Sequence, residues 1–322
     1  MPHSALPSLA DIEAASRVVY DQFQPTPQYH WQLLSEKLGA HCWLKHENHT
    51  PVGAFKIRGG LTYFAQMAAR NTLPAEVISA TRGNHGQSIA WAARRHGVRC
   101  TIVVPHGNSI EKNAAMRALG ATLIEHGDDF QAAREHAIAL AEQRGAHMVP
   151  SFHADLVSGV STYWWEFLRA VPDMHTAYVP IGLGSGACAA VAAKLALQHP
   201  VRIVGVVSNG ATTYRDSIAA GEVVDAAVTT QIADGMAVRR ADPQALAILR
   251  QHLDRVVAVS DDEIANAMQL LFTSTHNVAE GAGAAALAAA LQERAAIAGQ
   301  TVGLAMTGGN VDAKVFAQVL GL

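Results

Sequence analysis

The sequence predicts an α/β protein in which parallel-rich sheets are flanked by helices and shared between two lobes. Three observations carry this. From residue 75 onward, short apolar runs of strand length alternate with amphipathic runs of helix length, the pattern of a parallel sheet with helical crossovers. Glycine-rich turns lie between strand and helix at GNHG (83–86) and GLGSG (182–186). The 322 residues exceed what one small core needs, and suit two domains or one large domain with an insertion.

In order, residues 8–23 carry apolar positions at helical spacing, and QPTPQYHW (24–31) breaks the pattern with two prolines, an extended approach. A short helix closes on Gly39, and HCWLK (41–45) alternates like a strand. HENHTPVGAFKIRGG (46–60) leads into an apolar helical run, 61–67. Then come strand AEVISA (75–80), loop TRGNHG (81–86), helix 87–97, strand RCTIVVP (99–105), helix 111–119, strand ATLIEHG (121–127), helix 128–144 and strand AHMVPSF (146–152). After a helix at 159–171 the second glycine unit reads strand YVPI (178–181), loop GLGSG, helix 187–198 and strand VRIVGVVS (201–208). A polar helix begins near Ser260, an alanine-rich one follows at 280–294, and VGLAMTGGNVD (302–312) is a last strand entering a glycine turn. The implied division is a larger domain of residues 1–74 and 150–322, with a smaller one, 75–149, inserted.

Composition excludes several function classes. Half the residues are hydrophobic, 16% are charged and the net charge is only −3, so neither disorder nor a nucleic-acid footprint is indicated. The N-terminus lacks a basic region and carries Asp11 and Glu13, unlike a secretory signal, and no apolar stretch is long enough to span a bilayer. Cys42, Cys100 and Cys188 are odd in number and unevenly spaced, which points to reduced thiols and a cytoplasmic location. The sixteen histidines are scattered without metal-site spacing, and most suit a surface or loop.

Four segments carry chemistry. Lys56 stands near the first turn of a helix after Pro51, Val52, Gly53, Ala54 and Phe55, and a lysine desolvated there becomes a nucleophile toward carbonyls. Gly182, Leu183, Gly184, Ser185 and Gly186 join a strand to a helix N-terminus, where free amides and the helix dipole make an anion site. A dinucleotide would want an acid about twenty residues on, but the next strand ends Val206, Val207, Ser208, Asn209; a single phosphate group fits better. SATRGNHGQ (79–87) offers amide donors around Asn84 and His85, suited to a substrate carboxylate. Thr307 opens TGGN after a buried strand, as a cap or turn residue often does.

Together TPVGAFKIRGG, GNHGQ, GLGSG, IADGMAV, EGAGAAAL and TGGNVD resemble the fold-type II pyridoxal-phosphate enzymes, specifically the serine/threonine dehydratase and serine racemase family, over about residues 25–312. The resemblance implies the two-domain, tryptophan synthase β-like fold and pyridoxal 5′-phosphate as cofactor. Lys56 would carry the cofactor, Phe55 would pack on its ring, Asn84 would meet the ring hydroxyl and Thr307 the ring nitrogen. Gly182, Leu183, Gly184, Ser185 and Gly186 would cradle the phosphate, with Gly235 and Glu280 lining the pocket. The backbone of Thr81, Gly83, Asn84 and His85, with Arg82 beside them, would hold the substrate carboxylate.

Two departures from the family stand out. Serine racemases place a serine where this chain has Arg82, and a guanidinium cannot serve as a base, which disfavours racemisation. Arg82 is left to meet a substrate carboxylate or to face solvent. Relatives bind a divalent cation through a Glu and an Asp where this chain has Val207 and Thr213, so that metal site is not expected. The end at Leu322 leaves no room for the regulatory domain of biosynthetic threonine dehydratases, suggesting a catabolic enzyme. SFHADLVSGVSTYWW (151–165) replaces the acidic loop of relatives and brings Phe152 and His153 toward the expected pocket, which would admit a phenylserine; Trp164 and Trp165 suit a helix core. The expected activity is dehydration of L-threonine, L-serine or L-threo-3-phenylserine to a 2-oxo acid and ammonia. The alternatives are a racemase, a non-catalytic binding protein of the same fold and, distantly, a nicotinamide dehydrogenase. The expected partner is a small amino-acid substrate, with neither nucleic acid nor membrane; a homodimer is compatible.

Overall fold

A computed structural model describes residues 6–322. The larger sheet has six strands: β1 (Gln28–His30), β2 (His41–His46), β7 (Thr176–Pro180), β8 (Arg202–Ser208), β9 (Arg255–Val259) and β10 (Thr301–Met306). Their order is β1-β2-β10-β7-β8-β9, with β1 alone antiparallel. The second sheet, β3 (Glu76–Ala80), β4 (Arg99–Val104), β5 (Thr122–Glu125) and β6 (His147–Met148), runs parallel in the order β5-β4-β3-β6. Parallel strands need covered faces. The alanine-rich helices Ser185–Leu197 and Gly281–Gln292 supply part of that cover, buried almost all round.

The helix ends follow their capping residues. Ser260 and Glu263 form a capping box at the start of Asp261–Thr275, and Gly39 closes Gln32–Leu38 in a left-handed conformation. Three spans differ from the sequence expectation. Helix Asn84–Arg95 starts three residues early, so Asn84, His85 and Gly86 belong to its first turn. The strand expected at 146–152 shrinks to β6, because Pro150 has no amide to donate and the chain turns into the Lys56 cavity at Ser151. Helix Ala154–Ala170 begins five residues before the expected 159 because His153 caps it, Nδ1 accepting from the Asp155 amide at 3.1 Å. His153 also stands edge-on to Tyr63, with ring centroids 5.1 Å apart, and does not line the Lys56 cavity. Phe152 packs on the core and lines only an outer groove. Trp164 is fully buried, whereas Trp165 is half-buried. The three cysteines are buried and unbonded.

Candidate active site

The C-terminal ends of β3, β7 and β10 open onto one cavity, where open α/β sheets hold ligands. Lys56 is the first residue of helix Lys56–Ala69. Its segment is tied to the turn after β10: the Phe55 amide donates to the Thr307 carbonyl at 3.0 Å, and Ala54 bridges Gly308. Gly53 makes this turn possible, since its φ is +67° and a Cβ there would stand 2.6 Å from Asn310 Oδ1. The Lys56 side chain is half-buried, with Nζ donating to Ser185 Oγ at 2.7 Å and lying 4.9 Å from the centroid of the Phe55 ring. No carboxylate pairs with it among the described residues, and desolvation lowers its pKa to about 8.

The lowered value has a stability consequence. Between pH 8 and 10.5 the unfolded chain binds a proton at this lysine that the folded one does not, so stability rises with pH there. Below pH 8 the penalty is fully present, about 3 kcal/mol by linkage. Lys56→Met is therefore expected to be more stable than the wild type in cofactor-free protein at pH 7. The gap should close toward pH 10.5, as urea unfolding at the two pH values would measure.

The loop 182–186 is an anion cradle. Gly184 caps helix Ser185–Leu197 at φ +98°, and the amides of Leu183, Gly184, Ser185, Gly186 and Ala187 have no acceptor among the described residues. A Cβ on Gly182 would stand 2.2 Å from the Gly235 carbonyl oxygen, so that residue must be glycine for the loop to close against Gly235. Phe55 lines the same cavity, its ring edge 3.5 Å from where a Gly186 Cβ would stand. The Thr307 hydroxyl is nearly buried at the cavity wall and makes no hydrogen bond to the described residues. Five amides and a hydroxyl without partners, around a cavity lined by one half-buried amine free of carboxylates, fit a phosphate-bearing aldehyde such as pyridoxal phosphate.

Opposite stands the turn between β3 and helix Asn84–Arg95. Here the structure narrows the expectation. The Thr81 amide is spent on the Val103 carbonyl, and the Gly83 amide on Thr81 Oγ1, which also accepts from Gly86. The amides left without an acceptor are those of Arg82, Asn84 and His85. Asn84 is pinned at both ends of its amide: Oδ1 accepts from Asn310 Nδ2 at 2.8 Å, and Nδ2 donates to Glu280 Oε1 at 2.5 Å. Glu280 in turn pairs with Lys112 at 3.0 Å, and Lys112 lies 3.8 Å from Asp234. Burial alone would lower the Lys112 pKa, but the two acids hold it above its ordinary value. Arg82 faces Asp234 at 3.5 Å instead of open solvent, with its side chain 30% exposed. His85 is buried and neutral, its pKa pushed down to about 3 by desolvation and by Lys56, and its Nε2 has no partner. His46 is likewise buried, against the expectation of surface histidines, and accepts from Trp31 Nε1 at 3.0 Å.

The residues named from the sequence for the cofactor and the α-carboxylate all line this cavity, unlike Phe152 and His153: Phe55, Lys56, Thr81, Arg82, Gly83, Asn84, His85, Gly182, Leu183, Gly184, Ser185, Gly186, Gly235, Glu280 and Thr307. Sequence reasoning missed Lys112, Asp234, Phe130 and Ser151, which line it too. Lys112 lies in the first turn of helix Ile110–Ala118, where a lysine looks like an ordinary surface residue. Only the fold brings Glu280 to it. Among the described residues no three His, Cys, Asp or Glu side chains converge as a metal site, and no helix is long and apolar enough to cross a membrane.

Comparison with known proteins agrees with this geometry. The family model described as pyridoxal-phosphate dependent enzyme matches residues 19–308. An L-threonine ammonia-lyase of Geobacter sulfurreducens is 37% identical over 96% of this chain and 77% of its own. An L-threo-3-hydroxyaspartate ammonia-lyase of Saccharomyces cerevisiae is 29% identical over 98% and 97%. The structure of maize serine racemase superposes with a TM-score of 0.90 at 25% identity, covering 98% of both chains. The chain therefore belongs to the pyridoxal-phosphate dependent enzyme family, as a fold-type II lyase resembling the serine/threonine dehydratases.

Proposed function

We propose that this protein dehydrates a β-hydroxy amino acid of the L-threonine, L-serine or L-threo-3-phenylserine type and releases a 2-oxo acid and ammonia. The carrying observation is Lys56: a cavity-lining, half-buried amine without a carboxylate partner among the described residues, 2.7 Å from a hydroxyl at the head of an anion cradle. The ammonia-lyase names of its relatives support the same reaction class.

Bound pyridoxal phosphate supplies an electron sink conjugated to the substrate Cα. The amides of Leu183 to Ala187 would hold its phosphate, Phe55 would lie against the ring and Thr307 would offer its hydroxyl to the ring nitrogen. The amides of Arg82, Asn84 and His85 would hold the α-carboxylate. With its pKa near 8, Lys56 spends part of its time neutral near physiological pH and takes the Cα proton at Nζ. The electron pair left at Cα becomes the second Cα–Cβ bond as the Cβ–O bond breaks, and the hydroxyl leaves as water with the proton that Lys56 Nζ has taken. The enamine released becomes an imine in solution, and a water molecule hydrolyses it to the 2-oxo acid and ammonia. Asn84, clamped between Glu280 and Asn310, gives this side of the cavity a fixed geometry. Residues 75–149 would act as the smaller, substrate-closing domain against the cofactor-binding remainder, 1–74 and 150–322.

Racemisation needs a second base on the other face of Cα. Arg82 stands where serine racemases have their serine, and its always-charged guanidinium cannot take a proton. Holoenzyme incubated with each of the three amino acids is expected to form a 2-oxo acid from at least one. D-serine as the main product from L-serine would favour the racemase, and colourless protein that takes up no cofactor would favour a binding protein.

A further inference from the structure

Resting on the elimination reading, we infer that the preferred substrate is a β-hydroxy amino acid with a second carboxylate, and that the Arg82 guanidinium recognises that carboxylate. Arg82 lies in the turn whose free amides face the cavity, and its side chain lines both the cavity around Lys56 and the wider groove outside it. A guanidinium carries five N–H donors in a planar fork. Among the described residues none of them makes a hydrogen bond, and Nε is buried without one. The nearest acid, Asp234 Oδ1, is 3.5 Å from Nε, leaving the two Nη groups uncommitted.

Asp234 is also shared with Lys112, which Glu280 holds more closely. Two cations and two anions thus balance at this end of the cavity. A methyl or phenyl substituent would set an apolar group against the two Nη groups, which make no hydrogen bond to the described residues, whereas a carboxylate accepts two parallel N–H bonds from them. Phe130 and Val238 also line the cavity and would take an aryl group, but that choice leaves Arg82 with the long Asp234 contact alone. The yeast relative whose name specifies L-threo-3-hydroxyaspartate, a dicarboxylate of this kind, agrees with the choice.

The test compares kcat/KM of wild-type holoenzyme, Arg82→Ala and Arg82→Lys on L-threo-3-hydroxyaspartate, L-threonine and L-threo-3-phenylserine. The wild type should prefer the dicarboxylate by about tenfold or more. Arg82→Ala should lower its ratio over threonine by about 10- to 100-fold, the usual worth of a charge-assisted pair, with Arg82→Lys restoring only part. An unchanged ratio overturns the assignment, since a role in binding the α-carboxylate or in closing the lobes would depress all three substrates alike. Wild-type turnover of threonine or phenylserine without turnover of the dicarboxylate overturns it while leaving the elimination reading intact. No 2-oxo acid from any of the three overturns both. Calorimetric binding of malate against 2-hydroxybutyrate, neither of which has an amine to react, gives a readout independent of turnover. Malate should bind about tenfold tighter to the wild type, and the difference should vanish in Arg82→Ala; equal binding to the wild type contradicts the proposal.

Discussion

Lys56→Ala is expected to slow 2-oxo acid formation by at least about 10³-fold. The substitution removes two contributions at once: a positioned base, worth roughly 10²–10⁴-fold, and the amine hydrogen-bonded to Ser185 in the anion cradle, which would anchor the cofactor covalently. Lys56→Arg should not restore activity, because a guanidinium stays charged and cannot accept a proton. Small primary amines added to Lys56→Ala should recover part of the rate. Rates within tenfold of the wild type would mean that another group removes the Cα proton.

The second large effect concerns stability and lies two residues further along the same helix. Arg58 is fully buried and holds Glu47 through Nε at 2.7 Å and Nη2 at 2.9 Å, while Nη1 reaches Glu166 at 2.6 Å. Glu166 also accepts from Lys45, itself fully buried, at 2.6 Å. The four charges cancel, and each carboxylate has charged donors. Arg58→Ala would leave two acids in the interior with one lysine between them, and breaking a buried pair this way costs about 3–5 kcal/mol. A urea midpoint lowered to match is the expected result, and Arg58→Lys should recover little because it lacks the fork that spans both acids. A loss below about 1 kcal/mol would show that water reaches the network. Because this cluster underlies the first turn of helix Lys56–Ala69, any folded Arg58 variant should also lose activity through a displaced amine.

How much of this was legible before the fold was known depends on whether the information is local. The alternation through residues 75–149 named the strands of the second sheet because each is a short apolar run bounded by a turn. The glycine turns could be read as sites because a strand, a turn and a helix start occur within a few residues. Elements with half-buried faces were missed. β9 has four of its five residues half-buried, helix Ala313–Leu320 has no fully buried residue, and the helices Thr213–Ala220 and Pro243–His252 flank a stretch without periodicity. In the site, Lys56, Asn84 and the loop 182–186 could be named because their neighbours in sequence reveal them. Lys112 and Asp234 could not, since their meaning comes from Glu280 and Arg82, which only the packing of the two sheets brings near. The same holds for His153, whose role as a helix cap facing Tyr63 depends on where helix Ala154–Ala170 begins.

Borohydride reduction of the protein loaded with pyridoxal phosphate, followed by mapping of the labelled peptide, tests the central claim most directly. The label should fall on Lys56, at one equivalent per chain, and be absent from Lys45 and Lys112, whose amines are already held by carboxylates. A label on any other lysine, with Lys56 unmodified, would contradict the account.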